Sequence, residues 1–236
     1  MSPCRVAVLQ SNYVPWKGCF ELIHDVDVLV VYDDNQHIKN DWRNRNKRKS
    51  AQATQRLTIP VGEWLDRPIC EVTRPESGWQ AKLWRTIEQQ YSGSPHVERF
   101  RSLSQDIYLG RTLTHLSALN QHLIKQIARE VLGITTRFAN SRAYAAVGAE
   151  LAKLMSLVSR TGDTRFVSGP AARDDSVVSR FFSAGIELKW KSHAGDPEYS
   201  HRHALFEHSV SILDLIFNVG PDAPWYIWGW RYGASP

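Results

Sequence analysis

The sequence predicts an α/β protein, a three-layer sandwich with a mostly parallel, Rossmann-like central sheet and helices on both faces. Two short runs of apolar, largely β-branched residues, 5–10 and 26–32, are typical of strands that are buried on both sides. Between them, residues 17–25 carry apolar side chains at helical spacing, so the three segments form a βαβ unit. This alternation continues along the 236 residues and favours a single α/β domain over 1–236.

The remaining elements follow in order along the chain. Alternating or β-branched patterns predict strands over residues 54–61, 69–73, 164–168 and 186–190. Apolar residues three and four apart predict helices over 79–91, 111–132, 143–159, 176–184 and 209–218. We expect Gly133 to end the second of these helices and Ser209 to cap the last one.

The positive charge is concentrated in one segment. The chain has 29 Lys and Arg and 24 Asp and Glu, a net charge of +5. Six basic residues and one acidic residue lie between positions 38 and 49, so the rest of the chain is electrically balanced. This distribution argues against a nucleic-acid partner, which a basic surface would bind, and favours one local anion site. Residues 47–49 we interpret as a solvated surface face.

The composition indicates a soluble globular protein. Hydrophobic residues make up 42% of the chain, and the apolar runs are too short for a transmembrane segment or a signal peptide. We therefore expect a cytoplasmic location. The three cysteines, at positions 4, 19 and 70, match neither a disulfide framework nor zinc-ligand spacing, so we expect reduced, mostly packed thiols.

The first candidate site is the loop at residues 10–18, which follows the first predicted strand and precedes a helix. Helix starts bind anions through free backbone N–H groups, and Gly18 permits close approach. The alternative is that the loop only turns the chain and packs against the sheet. The candidate binding residues are Gln10, Asn12, Tyr13 and Trp16.

The second and denser candidate site spans residues 33–47, after the second predicted strand. Ligands of open α/β sheets bind beyond the carboxyl ends of the strands, where both loops would lie. Arginine and lysine side chains suit a phosphate, and a tryptophan offers a flat face for a ring. Asp33 can act as a general base, bind Mg²⁺ or pair with the cations. The candidates are Asp33 and Lys39 as catalytic residues and Asp34, Gln36, Trp42, Arg43, Asn44 and Arg45 as binding residues.

Two further segments carry weaker signals. The histidines at positions 201, 203 and 208 lack a partner at metal-ligand spacing, so no metal site is predicted. A serine triad in the same region is less favoured still, although Ser211 and Asp214 at a polar helix start can face a ligand. Within the aromatic-rich segment 221–236, five large aromatic residues between 225 and 232 suit either a homodimer interface or a lid over a ring.

The sequence resembles the WbqC-like proteins. Their amino-terminal signature runs from LQ.NY.PW.G to D..Q..K..W.NRN, and residues 6–47 read VAVLQSNYVPWKGCFELIHDVDVLVVYDDNQHIKNDWRNRNK. The resemblance is weaker through the middle and returns at SVSILDLIFNVG, residues 209–220. His208 departs from the expected proline, and the tail after Pro221 lies outside the pattern. The matching positions are Gln10, Asn12, Tyr13, Pro15, Trp16, Gly18, Asp33, Gln36, Lys39, Trp42, Arg43, Asn44, Arg45, Asn46, Ser211, Asp214, Phe217, Asn218 and Gly220.

The resemblance implies a bacterial enzyme of O-antigen or related surface-polysaccharide biosynthesis. The implied reaction transfers an acyl or aminoacyl group, such as glycyl, from an activated donor to the amine of a nucleotide-linked sugar. One alternative is an ATP- and Mg²⁺-dependent nucleotidyl transferase or adenylate-forming ligase. A second alternative is a non-catalytic scaffold of a polysaccharide assembly complex. The sequence identifies neither the donor nor the acceptor.

Overall fold

The computed structural model describes residues 4–38, 40–50, 53–62, 66–75, 78–110, 113–162, 164–170, 175–201 and 206–233. The chain divides into two compact units. Unit 1 comprises Met1–Gln10, Glu21–Asn35 and Ile134–Gly195. Unit 2 comprises Ser11–Phe20, Gln36–Gly133 and Asp196–Pro236.

The described residues form strands and helices in the following order. The strands are β1 (Arg5–Leu9), β2 (Val28–Val31), β3 (Arg45–Lys49), β4 (Thr54–Thr58), β5 (Arg137–Asn140), β6 (Arg165–Ser168) and β7 (Glu187–Trp190). The α-helices are α1 (Lys17–His24), α2 (Trp79–Tyr91), α3 (Arg101–Gln105), α4 (Leu116–Gln126), α5 (Glu150–Arg160), α6 (Asp175–Ser183), α7 (Ile212–Val219) and α8 (Ala223–Ile227). No helix among these residues is long and apolar enough to cross a membrane.

Unit 1 contains a five-stranded sheet in the order β5-β2-β1-β6-β7, and every neighbouring pair is parallel. Counted within this sheet alone, the order is 3-2-1-4-5, which is the order of Rossmann-type sheets. Helices surround the sheet, so the predicted α/β sandwich is confirmed. The connection from β2 to β5 contains the whole of 36–133, a long insertion that belongs to unit 2.

The core of unit 1 forms where the sheet meets α5 and α6. Val6, Val28 and Val30 from the sheet pack with Leu157 and Val158 of α5 and with other buried residues. The rings of Phe166 on β6 and Phe181 on α6 stack with 5.1 Å between their centroids. Burial of these side chains is the main favourable contribution to the stability of the unit, at roughly 1.5–3 kcal/mol each.

Unit 2 is built from the antiparallel hairpin of β3 and β4 and from helices α2, α3, α4, α7 and α8. The backbone N–H of Ser211, just before α7, donates to the Lys47 carbonyl on β3 over 2.8 Å. The next N–H, of Ile212, donates to the Pro15 carbonyl over 3.0 Å. The start of α7 is therefore fixed to both the hairpin and the loop before α1.

The structure corrects several predicted elements. Residues 47–49 are not a solvated face, because they form most of β3, and Lys49 is only 8% exposed. The segment predicted as a strand over 69–73 begins with a 3₁₀ turn, Ile69–Glu71, and Thr73 makes only an isolated bridge to His115. The last long helix is capped by Ser211 rather than Ser209.

Two helix boundaries also differ from the prediction. The helix predicted over 111–132 is α4, which continues as a π-helical turn over Ile127–Val131. The helix predicted over 143–159 begins later, at Glu150, after a 3₁₀ turn over Ser141–Tyr144. Strand β5 was not predicted, because its four residues, RFAN, contain no β-branched side chain.

Candidate functional site

A cavity of about 230 Å³ lies in unit 2. Its walls bring together the two loops that the sequence singled out, and a third segment just before α7 completes them. Two indole rings dominate the lining. The lining residues are Asn12, Pro15, Trp16, Trp42, Asn46 and Ser209.

The two loops are joined by hydrogen bonds of one buried side chain, Asn46. Its Nδ2 donates to the carbonyl oxygens of Tyr13 and Val14 over 2.9 and 2.8 Å. Its Oδ1 accepts from the backbone N–H of Lys47 over 2.7 Å. In addition, the Tyr13 N–H donates to the Trp42 carbonyl over 2.9 Å. These bonds fix the tryptophan of each loop against the other loop.

Val14 has a strained backbone beside the cavity. Its φ of 35° is in the left-handed region, which a β-branched residue rarely adopts. Such strain costs about 1–3 kcal/mol and persists only where surrounding contacts enforce it. The hydrogen bond from Asn46 to the Val14 carbonyl is one of those contacts. The strained turn leads directly into Pro15 and Trp16, both in the cavity wall.

The polar groups of the cavity can recognise a ligand. Asn12 Oδ1 is buried, and among the described residues it has no hydrogen-bond partner. A buried carbonyl oxygen without a donor is costly, and a bound ligand with an N–H or O–H group would satisfy it. The Trp42 ring is 45% exposed, and Lys47 Nζ lies 5.9 Å from its centroid. The cavity therefore combines flat apolar walls, a hydrogen-bond acceptor and a nearby cation.

The other predicted cationic residues have partners within their own loop. Arg43 forms an ion pair with Asp41 at 2.7 Å, and Arg45 donates to Asn40 Oδ1. Lys39, predicted as catalytic, lies outside the described residues. Gln36 belongs to a short bridge with Pro68 at the start of the same loop.

Four further predicted residues of unit 2 are buried in its interior. Asn44 Nδ2 donates to the Ile59 carbonyl over 3.1 Å, and Ser211 Oγ accepts from the Leu213 N–H as the cap of α7. Asp214 Oδ2 accepts from the Tyr199 hydroxyl over 2.8 Å. Their contacts are within the fold.

Tyr13, the fourth of these residues, is paired with another tyrosine. The hydroxyl groups of Tyr13 and Tyr108 form a hydrogen bond of 2.6 Å. Burial, followed by the neighbouring Tyr108, raises the pKa of Tyr13 well above its ordinary value. Tyr13 is therefore a neutral hydrogen-bonding group at physiological pH.

The remaining predicted residues, Gln10, Asp33 and Asp34, belong to unit 1. Asp33 follows β2 and is 1% exposed. Asp34 Oδ2 lies 2.8 Å from Lys153 Nζ, and Asp34 also accepts from the Ser141 hydroxyl. Burial raises the pKa of Asp34, but these two partners outweigh it and hold the pKa below the ordinary value. Asp34 is therefore ionised and paired with a lysine inside unit 1.

Two residues beside the cavity were not predicted as site residues. Ser209 lines the cavity, and its hydroxyl donates to Glu207 Oε1. The Ser209 N–H donates to the same oxygen over 3.0 Å. In the sequence HSVSILD either serine can cap the helix, and once Ser211 takes that role Ser209 is free for another. No pattern in the sequence marks Glu207.

The weaker candidate segments pack within unit 2. The Phe206 ring lies between the rings of His201 and His208, at 5.2 and 4.6 Å, and His203 is outside the described residues. In the carboxyl-terminal segment, Trp225 contacts Tyr226 edge to face at 4.8 Å. Tyr232 is 72% exposed.

The cysteines are free thiols, as predicted. Burial raises the pKa of Cys19 to about 12, so its thiol is protonated and a poor nucleophile at physiological pH. Cys4, Cys19 and Cys70 are each half-buried.

Comparison with known sequences identifies the family. A sequence model of the WbqC-like protein family matches residues 10–226, which is most of the chain. The chain belongs to the WbqC-like protein family. The match confirms the resemblance seen in the signature residues, and it extends past Pro221 to include the start of the aromatic segment, which we had expected to lie outside the pattern. Five of the six cavity residues, all except Ser209, belong to the signature that characterises WbqC-like proteins.

A second WbqC-like chain is closely similar. The uncharacterized protein Rv1507c of Mycobacterium tuberculosis is 39% identical over 226 residues, which cover 94% of this chain and 97% of that protein. No solved structure matches the sequence.

Proposed function

We propose that this WbqC-like protein transfers an acyl or aminoacyl group to the amine of a nucleotide-linked sugar, and that the cavity of unit 2 holds a ring of that substrate. The supporting observation is the composition of the cavity, in which two tryptophan rings flank an asparagine carbonyl oxygen that has no partner among the described residues. Indole faces bind sugar and base rings, and the carbonyl oxygen selects a ring that carries a hydrogen-bond donor.

The size of the cavity limits what it holds. Pockets that enclose a drug-sized ligand have volumes of roughly 300–1,000 Å³. The cavity, at about 230 Å³, is smaller and accommodates one ring with its substituents. The remainder of a nucleotide sugar would then extend over the neighbouring surface.

The charge around the cavity suits the phosphates of such a substrate. Lys47 lies beside the exposed Trp42 ring, so a phosphate attached to a ring stacked on Trp42 would lie near this ammonium group. Lys39, Arg43 and Arg45 are the further cations of the same segment in this proposal. The local excess of positive charge between positions 38 and 49 is consistent with a diphosphate.

The proposed reaction requires no covalent intermediate on the protein. The sugar amine attacks the acyl carbon, a C–N bond forms, and the bond to the donor's leaving group breaks with its electron pair. A proton leaves the amine nitrogen for a base, for which the sequence offers Asp33. Holding the two substrates together can supply up to about 7–11 kcal/mol of the barrier.

The test is a transfer assay with UDP-glucosamine as the acceptor probe. It is incubated with acetyl-CoA, with glycyl-adenylate, or with glycine, ATP and Mg²⁺, and the product is detected by mass spectrometry. Our proposal predicts an N-acylated nucleotide sugar with one of the preformed donors and no requirement for ATP. Product only with ATP and Mg²⁺ would favour the ligase, and the absence of product throughout would contradict an acyl-transfer enzyme.

A further inference from the structure

A serine and a glutamate beside the cavity form a hydrogen-bonded pair that has no part in the reaction as described so far. Ser209 lines the cavity, and both its hydroxyl and its backbone N–H donate to Glu207 Oε1. The two bonds hold the carboxylate in one orientation. Because the hydroxyl hydrogen is directed at the carboxylate, the lone pairs of Ser209 Oγ remain available to accept another hydrogen bond.

The charges around this pair keep the carboxylate ionised. The two hydrogen bonds from Ser209 lower the pKa of Glu207, burial opposes them, and Lys47 and Lys49 of β3 lower it further. His208, the residue between the pair, also interacts electrostatically with Glu207. At neutral pH the pair therefore consists of a hydroxyl bonded to a carboxylate, an arrangement that can accept a proton through the hydroxyl.

We propose that Ser209 and Glu207 are the proton acceptor for the amine that reacts in the cavity. This inference rests on the proposed acyl transfer and adds the residues that complete it. Ser209 contacts the amine as a catalytic residue, while Glu207 acts through Ser209 and is a positioning and proton-storing residue. The substrate class this assigns to the cavity is the amine acceptor rather than the acyl donor.

The proton balance of the step is as follows. As the amine nitrogen bonds to the acyl carbon, one N–H proton passes to Ser209 Oγ. The original proton of Ser209 passes at the same time to Glu207 Oε1, so the serine is unchanged. The carboxylate becomes a carboxylic acid, and the leaving group departs with the electron pair of its bond. Glu207 then returns the proton to solvent or to the leaving group.

The asparagine opposite completes the arrangement. Asn12 Oδ1 also lines the cavity wall and is without a hydrogen-bond partner among the described residues. An attacking primary amine has two N–H groups, so one can bond to Asn12 while the other faces Ser209. This geometry leaves the nitrogen lone pair free to attack.

The experiment compares Ser209→Ala, Ser209→Thr, Glu207→Gln and Asp33→Asn with the wild type in the assay with UDP-glucosamine. We expect kcat of Ser209→Ala and Glu207→Gln to fall by about 10²–10⁴-fold with KM within about threefold, as for removal of a general base. Ser209→Thr, which retains a hydroxyl, should preserve most of the activity. The fall in wild-type kcat at acid pH should disappear in Glu207→Gln. Thermal unfolding of each variant excludes loss of the fold.

Two results would overturn the inference without affecting the proposed function. One is wild-type kcat in both Ser209→Ala and Glu207→Gln, with loss only in folded Asp33→Asn, which would assign the base to Asp33. The other is an acylated Ser209 detected by mass spectrometry after incubation with donor alone, which would make the serine a nucleophile. Failure of the wild type to acylate any amine would instead contradict the proposed function.

Discussion

Trp16 and Trp42 line the same cavity of unit 2, although one precedes α1 and the other precedes β3. The side chain that joins their two loops is Asn46, whose amide donates to the carbonyls of Tyr13 and Val14. The site is therefore organised by a buried residue that has all of its contacts within the protein. This separation between residues that face the ligand and residues that hold the loops leads to different expected effects of substitution.

Substitution of Asn46 should reduce stability. Asn46→Ala removes three hydrogen bonds and leaves two carbonyls and one N–H without that partner, so we expect the free energy of unfolding to fall by about 2–4 kcal/mol. Asn46→Asp keeps the acceptor for Lys47 N–H but cannot donate, and it should be at least as destabilised. Urea denaturation measures both, with exposed Gln89→Ala as a control near wild-type stability. A change below 0.5 kcal/mol in Asn46→Ala would contradict the role of Asn46.

Gly220, at the end of α7, should not tolerate a side chain. Its φ is +58°, and an added Cβ would lie 2.5 Å from the His96 ring. That ring cannot easily move away, because the His96 backbone N–H is bonded to the Phe217 carbonyl over 3.0 Å. We expect Gly220→Ala to lose about 2–4 kcal/mol of stability.

The matched control for this substitution is Gly133→Ala. Gly133 also has a positive φ, +67°, but no atom lies within 4 Å of its added Cβ. Only the backbone term of about 1 kcal/mol should then apply. Equal losses in the two variants, measured by thermal or urea unfolding, would show that the contact with His96 carries no cost.

Asp25 should make unit 1 sensitive to acid. Burial raises its pKa, but hydrogen bonds with His24 and Lys191 outweigh burial and lower the pKa from 3.8 to about 2. A carboxyl group with a lowered pKa in the folded state contributes stability that is fully present above pH 4–5 and is lost as the pH falls toward 2. The shift corresponds to at most about 2.5 kcal/mol, and screening by water reduces this to roughly 1–1.5 kcal/mol.

The test is Asp25→Asn, with exposed Asp66→Asn as its control. At pH 7 Asp25→Asn should be less stable than the wild type, and the difference should narrow as the pH is lowered to 3 and below. Asp66→Asn should follow the wild type at every pH. A difference for Asp25→Asn that does not change with pH would contradict the contribution of this ionisation.

Much of the fold follows from sequence patterns, but the position of side chains in the site does not. The strands of the parallel sheet were recognisable as dense β-branched runs, and helix α2 has the bounds that its apolar spacing predicts. In contrast, β3 consists of the residues RNKRK, and its strand structure depends on pairing with β4. Pairing between segments is a tertiary effect that local propensity cannot reveal.

The candidate site was predicted to a similar extent. Trp16, Trp42 and Asn12 were recognised from residue chemistry, and all three line the cavity. Ser209 was interpreted as a cap, because a serine before a helix serves this role more often than any other. Glu207 has only local neighbours in the sequence that are uninformative, so its approach to Ser209 required the structure.

The claim that the cavity holds a ring of a nucleotide-linked amino sugar is tested most directly by calorimetric titration with UDP-glucosamine. We expect saturable binding to the wild type and a loss of affinity of about 5- to 150-fold in Trp42→Ala and in Trp16→Ala, which corresponds to 1–3 kcal/mol for each stacked ring. Tyr232→Ala, which removes an exposed aromatic ring elsewhere in unit 2, should bind as the wild type does. Equal affinity in all four proteins, or no binding to the wild type, would contradict the account.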